Sequence, residues 1–157
     1  MHAFSILAAT AALMTPALAD FYLYASQIHL NIEPTDTDGF LFLAGPPSCD
    51  DVFNAVQRTG SDDVSGDKHG VRCNDCGSAT GTIDDPDSVS PTLVEWNDED
   101  YGHYTYYADR DGAIVDLDGN VVGHCHTDTS DSYTCSDVSS TFRGWSQIFC
   151  ETDLAIP

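Results

Sequence analysis

Alternation of apolar and polar side chains marks the chain from residue 21 onward. Residues 21–32, FYLYASQIHLNI, place aromatic or aliphatic side chains at alternate positions, and a period of two is typical of a β-strand. The run FLFL at 40–43 predicts a second strand, which the sequence Gly45-Pro46-Pro47 ends. This part of the chain therefore begins with β-structure.

The segment SCDDVFNAVQRTG, residues 48–60, carries the pattern of a helix instead. Ser48 suits the N-cap position, Asp51 three residues later completes a capping box, and Gly60 suits the end of the helix. The apolar stripe of this helix consists of Cys49, Val52, Phe53 and Val56. We interpret the stripe as the face that packs on the core.

From residue 91 onward the pattern predicts a meander of short strands separated by turn residues. The strand segments are PTLVEW, GHYTYYA, AIVDL, NVVGHC, SYTC and SQIFC, and shorter strands are expected around 71–73 and 82–83. Asp118-Gly119-Asn120, between two runs rich in Val and Ile, indicates a tight hairpin turn. One helix followed by an antiparallel sheet predicts an α+β fold.

Residues 1–19 have the form of a secretory signal peptide. An apolar run is followed by a proline and by the small-x-small sequence Ala17-Leu18-Ala19, and the run is too short to span a bilayer. Residues 20–157 contain no repeat, linker or second domain, so they predict a single domain. We expect a secreted, extracellular protein that does not bind membranes.

All six cysteines follow the predicted cleavage site: Cys49, Cys73, Cys76, Cys125, Cys135 and Cys150. An even number of cysteines in a secreted protein predicts three disulfides, and the sequence leaves their connectivity open. A local bridge between Cys125 and Cys135 is a candidate. Cys150 is expected to tie down the C-terminal strand.

The spacing Cys73-x-x-Cys76, together with His124 and His126, also imitates a zinc ligand set. Export through an oxidising compartment favours cystine over metal, so we expect no metal and no cofactor. A thioredoxin-type redox role is disfavoured because glycine and small residues follow the second cysteine, where a helix would be needed to lower a thiol pKa.

Charge is the most unusual global property of the chain. It has 26 acidic residues against five Lys and Arg, which gives a net charge of −21. Such a surface repels anionic membranes and offers no basic track for non-specific binding of nucleic acid. A small site for one phosphate group remains compatible with this charge.

Five segments, read in order, carry a family resemblance. They are SCDDVFNAVQ, DKHGV, SPTLVEW, YADRDGAIVDLDGNVVGHCHT and SYTC. This arrangement over residues 48–135 resembles the small secreted fungal guanyl-specific ribonucleases, with their early helix, His-bearing strand, Glu-Trp segment and His segment before a near-terminal cysteine. The resemblance implies one helix packed on a twisted antiparallel sheet.

In that family a Glu acts as general base on the ribose 2′-hydroxyl, a His acts as general acid on the leaving oxygen, an Arg steadies the phosphate, and a second His assists the Glu. The resemblance assigns these roles to Glu95, His126, Arg110 and His69, in that order. For two of these four roles, the general acid and the arginine, the sequence departs from the family pattern. Aligned on the glycine of VVGHC without a gap, the acid position holds residue 127 and the arginine position holds residue 112.

The leading hypothesis is a secreted, ribonuclease-like fungal effector with an impaired catalytic set, which acts as a monomer by binding host proteins. Ribonuclease-like proteins of that kind are effectors of plant-pathogenic fungi, which keep the disulfide-stapled scaffold and use its surface to bind host molecules, outside or inside host cells. The alternative is an active guanyl-preferring ribonuclease that uses Glu95, His126, Arg110 and His69, binds RNA and forms 2′,3′-cyclic phosphates. A lectin-like or structural extracellular protein is a third hypothesis.

Overall fold

The structure is a computed structural model that describes residues 20–77 and 89–155. The predicted signal peptide and the strand expected around 82–83 lie outside these ranges. The elements in the described ranges are β1 (Phe21–Leu30), β2 (Thr35–Leu43), α1 (Cys49–Asn54), β3 (Arg58–Thr59), β4 (Gly70–Asn74), β5 (Leu93–Asp98), β6 (Gly102–Tyr107), β7 (Ala113–Val115), β8 (Val121–Thr127), β9 (Ser132–Ser136) and β10 (Ser140–Thr152).

The strands form one antiparallel sheet that curls until its edges meet. Its order is β3-β2-β1-β10-β8-β7-β6-β5-β4, and β9 pairs with β10 outside this path. The two edge strands approach each other at a parallel bridge between Gly60 and Val71, where the Ser61 amide donates to the Val71 carbonyl at 2.9 Å. The sheet is therefore a nearly closed barrel. Closure pairs backbone groups at the two edges that would otherwise be exposed.

The main core fills the interior of this barrel. On β5 the side chains alternate, so Val94 and Trp96 are buried inside while Glu95 points to the outer face. The other members of the interior cluster are Phe21, Leu23, Phe42, Val71, Tyr106, Ile114, Cys125, Ile148 and Cys150. A smaller cluster around Tyr24, Leu41 and Val52 lies on the outer face beneath α1.

The predicted α+β fold is wrong. The described residues are mostly antiparallel strand, and the only α-helix among them spans six residues. The strands bury their apolar side chains against one another across the barrel interior, so the main core needs no helix to cover it. A helix packed on an open sheet, as the family resemblance implies, is not what the chain forms.

Helix α1 begins where predicted but ends six residues early. The Ser48 cap and the capping box with Asp51 are both present, which confirms the predicted start. Ala55 is already extended, and Arg58 and Thr59 pair with β2 as strand β3. Pairing at the sheet edge thus overrides helix periodicity after the first turns, and of the helical residues only Val52 is buried.

Three disulfides join all six cysteines, which confirms the predicted number. The pairs are Cys49–Cys135, Cys73–Cys76 and Cys125–Cys150. The proposed local bridge between Cys125 and Cys135 is wrong. Cys125 lies directly opposite Cys150 on β10 and faces the interior, whereas Cys135 packs in the outer cluster beneath α1.

The predicted meander is confirmed for its first four strands, since β5 to β8 follow one another as neighbours in the sheet. Its last two strands depart from the prediction, because β8 and β9 both pair with β10 and not with each other. The turn between β7 and β8 contains the Asp-Gly-Asn sequence, where Gly119 has a φ of 83° and the Asp116 carboxylate accepts the amides of Asp118 and Asn120. None of the helices in the described ranges is long and apolar enough to cross a membrane.

Two buried tyrosines predict how the fold responds to alkali. Burial raises the pKa of Tyr133 to about 12, and burial together with a hydrogen bond to Asp131 raises the pKa of Tyr24 as well. Because a raised folded-state pKa means that the fold favours the neutral phenol, this contribution to stability is complete below about pH 10 and is lost as the pH rises towards the folded-state values.

We therefore expect part of the phenolate absorbance to appear only together with loss of β-sheet circular dichroism, above about pH 10. The variant Tyr133→Phe should lose part of that late component. Complete phenolate formation near pH 10 in a chain that still gives the folded spectrum would contradict the burial of these rings.

Candidate functional site

Glu95 lies at the centre of an ionic cluster on the outer face of the barrel. On β4, its direct cross-strand partner is Arg72, whose Nη2 is 2.8 Å from Glu95 Oε2. On β6, the Nε2 of His103 is 2.8 Å from Glu95 Oε1. The Glu95 and His103 side chains are only 17% and 12% exposed, so both carboxylate oxygens are engaged in a site largely shielded from water.

Arg72 and His103 are functional candidates that the sequence interpretation missed. Arg72 lies between the inward-facing Val71 and Cys73 on β4. His103 is the second residue of β6 and precedes Tyr104, which packs against the interior cluster. A period of two does indicate that both side chains point outward. Their contact with Glu95, however, depends on the register of three strands, which the pattern of each strand alone does not specify.

Arg110, the predicted phosphate-binding residue, is not among the contacts of Glu95. It lies in a single 3-10 turn over 108–110 that follows β6. Its guanidinium carbon is 4.0 Å from the centre of the Tyr107 ring, a cation–π arrangement. The cation beside Glu95 is therefore Arg72, on the opposite side of β5 from β6.

His126, the predicted general acid, lies on β8 and is exposed. Its ring centre is 5.6 Å from that of Phe149 on β10. Strand β8 is three positions from β5 in the sheet, which at ordinary strand spacing is about 14 Å. The structure therefore does not bring His126 to Glu95, although both side chains are on the outer face.

No family model, curated protein or solved structure matches this chain. The resemblance to the guanyl-specific ribonucleases consequently stays a prediction.

The positions that a gap-free alignment gives to the acid and the arginine are also unsuited to those roles. Thr127 ends β8 opposite Ile148, and an aliphatic hydroxyl is too weak an acid to replace an imidazolium as proton donor to the leaving oxygen. Gly112 has a φ of 71°, and a Cβ atom there would lie 2.0 Å from the carbonyl oxygen of Cys125. An arginine side chain has no space at this position.

His69, the predicted assisting histidine, is exposed in the segment that precedes β4. The first residue of β4, Gly70, lies opposite Asn97 rather than Glu95. The buried Asn97 amide donates to the carbonyls of Val64, Gly66 and Lys68 and so fixes this segment. Among the described residues, the histidine that contacts Glu95 is His103 on β6.

The Glu95 cluster has an acid–base pair and a cation, but all three groups lie side by side on one face. Cleavage of a phosphodiester by 2′-hydroxyl attack needs a base and an acid on opposite sides of one phosphorus, with the cation between them. The described contacts of Glu95 supply the base, an adjacent imidazole and a guanidinium already bound to the base. They do not supply an acid facing the base.

A separate cleft of about 510 Å³ lies at one end of the barrel. Its walls come from the end of β2, from α1 and from Tyr101, and Pro46 and Pro47 line its rim. Asp50 and Asp51 are its charged groups, and Asp51 is already bound to Ser48. Glu95 does not line this cleft, so the cleft and the ionic cluster are distinct.

Proposed function

We propose that the protein is a secreted fungal effector that acts by binding host proteins and does not depend on RNA cleavage. The observation that carries the proposal is the dispersal of the predicted catalytic set. Glu95 is bound by Arg72 and His103, Arg110 stacks on Tyr107, and His126 lies three strands away.

The scaffold suits a binding protein that must persist outside the cell. Three disulfides cross-link the domain of residues 20–157. A disulfide stabilises a fold chiefly by limiting the conformational freedom of the unfolded chain. The net charge of −21 opposes association with other acidic surfaces. A partner of this protein is therefore expected to present positive charge at the interface.

The proposal is tested with oxidised residues 20–157 immobilised and exposed to plant extracellular fluid and leaf extract. We expect a defined set of plant proteins on the oxidised domain and none of them on the reduced, alkylated chain, because binding needs the folded surface. A purified member of that set should then form a stoichiometric complex in solution. Recovery of the same proteins on both forms, or of none, would count against the proposal.

A second candidate is an endoribonuclease built on Glu95, Arg72 and His103. The contact of a largely shielded Glu with both a His and an Arg favours it, since these are the residue types that the ribonuclease chemistry uses. Its substrate is single-stranded RNA, and its product a 2′,3′-cyclic phosphate.

The two candidates are separated by incubating the oxidised domain with RNA beside the variants Glu95→Gln, His103→Gln and His126→Gln. We expect no cleavage by any of them above a buffer blank. Cleavage that is lost in Glu95→Gln and His103→Gln but kept in His126→Gln would replace the effector proposal with the enzyme.

A further inference from the structure

Three rings form a continuous row on the outer face of the barrel, away from Glu95. His126 on β8 lies opposite Phe149 on β10, which lies opposite Tyr22 on β1. The ring centres of His126 and Phe149 are 5.6 Å apart, and those of Phe149 and Tyr22 are 4.7 Å apart. We call these three residues the aromatic row. The His126 residue is exposed, and the other two are half-buried, so part of each reaches solvent.

Two carboxylates flank the aromatic row. Hydrogen bonds from Ser130, together with the charge of the nearby His126, hold the pKa of Asp128 below its usual range. The Asp128 amide donates to the Gln147 carbonyl at 3.1 Å, two residues from Phe149 on β10. Asp131 accepts the hydroxyl of Tyr24, whose ring centre is 6.0 Å from that of Tyr22. In keeping with this placement, burial and then the charges of the two carboxylates raise the pKa of Tyr22.

Each flanking carboxylate keeps one oxygen available. Asp131 accepts the Tyr24 hydroxyl on Oδ2 at 2.5 Å, and Asp128 accepts Ser130 on Oδ1. Among the described residues, Oδ1 of Asp131 and Oδ2 of Asp128 take part in no hydrogen bond. The row therefore offers aromatic surface and two free anionic acceptors side by side.

The chain does not use its own strong cations to neutralise this face. Arg58 pairs with Asp98, Arg72 with Glu95 and Lys68 with Asp63, while Arg110 stacks on Tyr107. The fifth cation, Arg143, is exposed on β10 and forms no ion pair among the described residues. Within the residues that the structure describes, no Lys or Arg forms an ion pair with Asp128 or Asp131. His126 is the only basic side chain placed beside them by these contacts.

We propose that the aromatic row, with Asp128 and Asp131, binds an arginine or lysine side chain in a basic segment of the protein partner. The face of an aromatic ring attracts a cation, and a carboxylate beside the ring adds a charge-assisted hydrogen bond. The net charge of −21 also favours a positively charged partner. This inference rests on the proposed function and names the chemistry that the host protein would present.

The test titrates the oxidised domain with fluorescent hexa-arginine at physiological salt. Three double variants are compared with the wild type. Tyr22→Leu with Phe149→Leu removes the rings but keeps apolar volume, and Asp128→Asn with Asp131→Asn removes the charges but keeps the hydrogen-bond acceptors. Asp62→Asn with Asp67→Asn is the control, because it makes the same change in net charge in the exposed segment between β3 and β4.

We expect each variant of the row to weaken binding by about tenfold, in the range that a cation–π contact or one charged hydrogen bond supplies. The control should change the affinity by less than about twofold. All variants are first shown to keep the circular dichroism and melting temperature of the wild type. Equal weakening in the two asparagine variants, with no weakening in the leucine variant, would mean that only net charge matters and would overturn the proposal.

A neutral cellohexaose titration forms a second arm. Binding of cellohexaose that is lost in the leucine variant, with hexa-arginine binding unchanged there, would assign the row to sugars and overturn the proposal. Capture of plant proteins by the leucine variant is measured in parallel. Capture that persists in this variant overturns the inference but leaves the proposed function standing, whereas hexa-arginine binding without any captured protein overturns the proposed function alone.

Discussion

Removing the Cys49–Cys135 disulfide by a double change to alanine is expected to lower the free energy of unfolding by about 4–5 kcal/mol. The two cysteines are 86 residues apart in sequence, and they join α1 to β9. A cross-link over so long a loop removes much conformational freedom from the unfolded chain. It also holds the short helix on the sheet, where among its helical residues only Val52 is buried.

The matched control is the double change Cys73→Ala with Cys76→Ala. These cysteines are three residues apart, so their loop is short and the expected loss is only about 2 kcal/mol. Both losses are measured by urea unfolding followed by circular dichroism. A larger loss in the Cys73/Cys76 variant than in the Cys49/Cys135 variant would contradict the connectivity.

Gly112→Ala is expected to destabilise the fold by about 3 kcal/mol, because two effects add. A non-glycine residue in the left-handed region costs about 1–2 kcal/mol, and crowding of a packed site costs about 1–3 kcal/mol. Gly112 has a φ of 71° and faces the Cys125 carbonyl, and its own carbonyl accepts the Cys125 amide at 2.7 Å. Any side chain at this position therefore disturbs the pairing that leads to the Cys125–Cys150 bridge.

Gly119→Ala separates the two effects. Gly119 also has a positive φ, 83°, but nothing lies within 4 Å of a Cβ atom placed there. Only the backbone strain applies, so the expected loss is about 1–2 kcal/mol. Thermal and urea unfolding of both variants measure the difference. If Gly112→Ala costs no more than Gly119→Ala, then β7 and β8 are not as close as the structure has them.

The strands could be predicted from the sequence because the composition of a short segment is local information. The segments LVEW, HYTYY and VVGHC are short runs rich in β-branched and aromatic residues, and each became a strand of the meander. Barrel closure could not be predicted in this way. Closure depends on two contacts between distant segments. Arg58 and Thr59, which the pattern placed in the helix, pair with β2, and Gly60 forms a bridge with Val71.

The candidate site shows the same division. Glu95 was predicted from the VEW segment, and its outward direction follows from the buried residues on either side of it. Its partners Arg72 and His103 come from the two neighbouring strands at positions that only the register specifies. The other residues predicted by the resemblance, Arg110, His126 and His69, lie elsewhere, because that resemblance assumes one helix packed on an open sheet and the chain forms a nearly closed barrel.

We propose that the protein acts through contact between its outer face and a host protein. A photoreactive phenylalanine analogue is placed at position 149, in the aromatic row, and separately at position 138, where Val138 is 98% exposed. Both forms are irradiated in plant extracellular fluid. We expect a defined cross-linked plant protein from position 149 that excess unlabelled domain competes away, and none from position 138. No cross-link from position 149, combined with cleavage of RNA that depends on Glu95, would contradict the account.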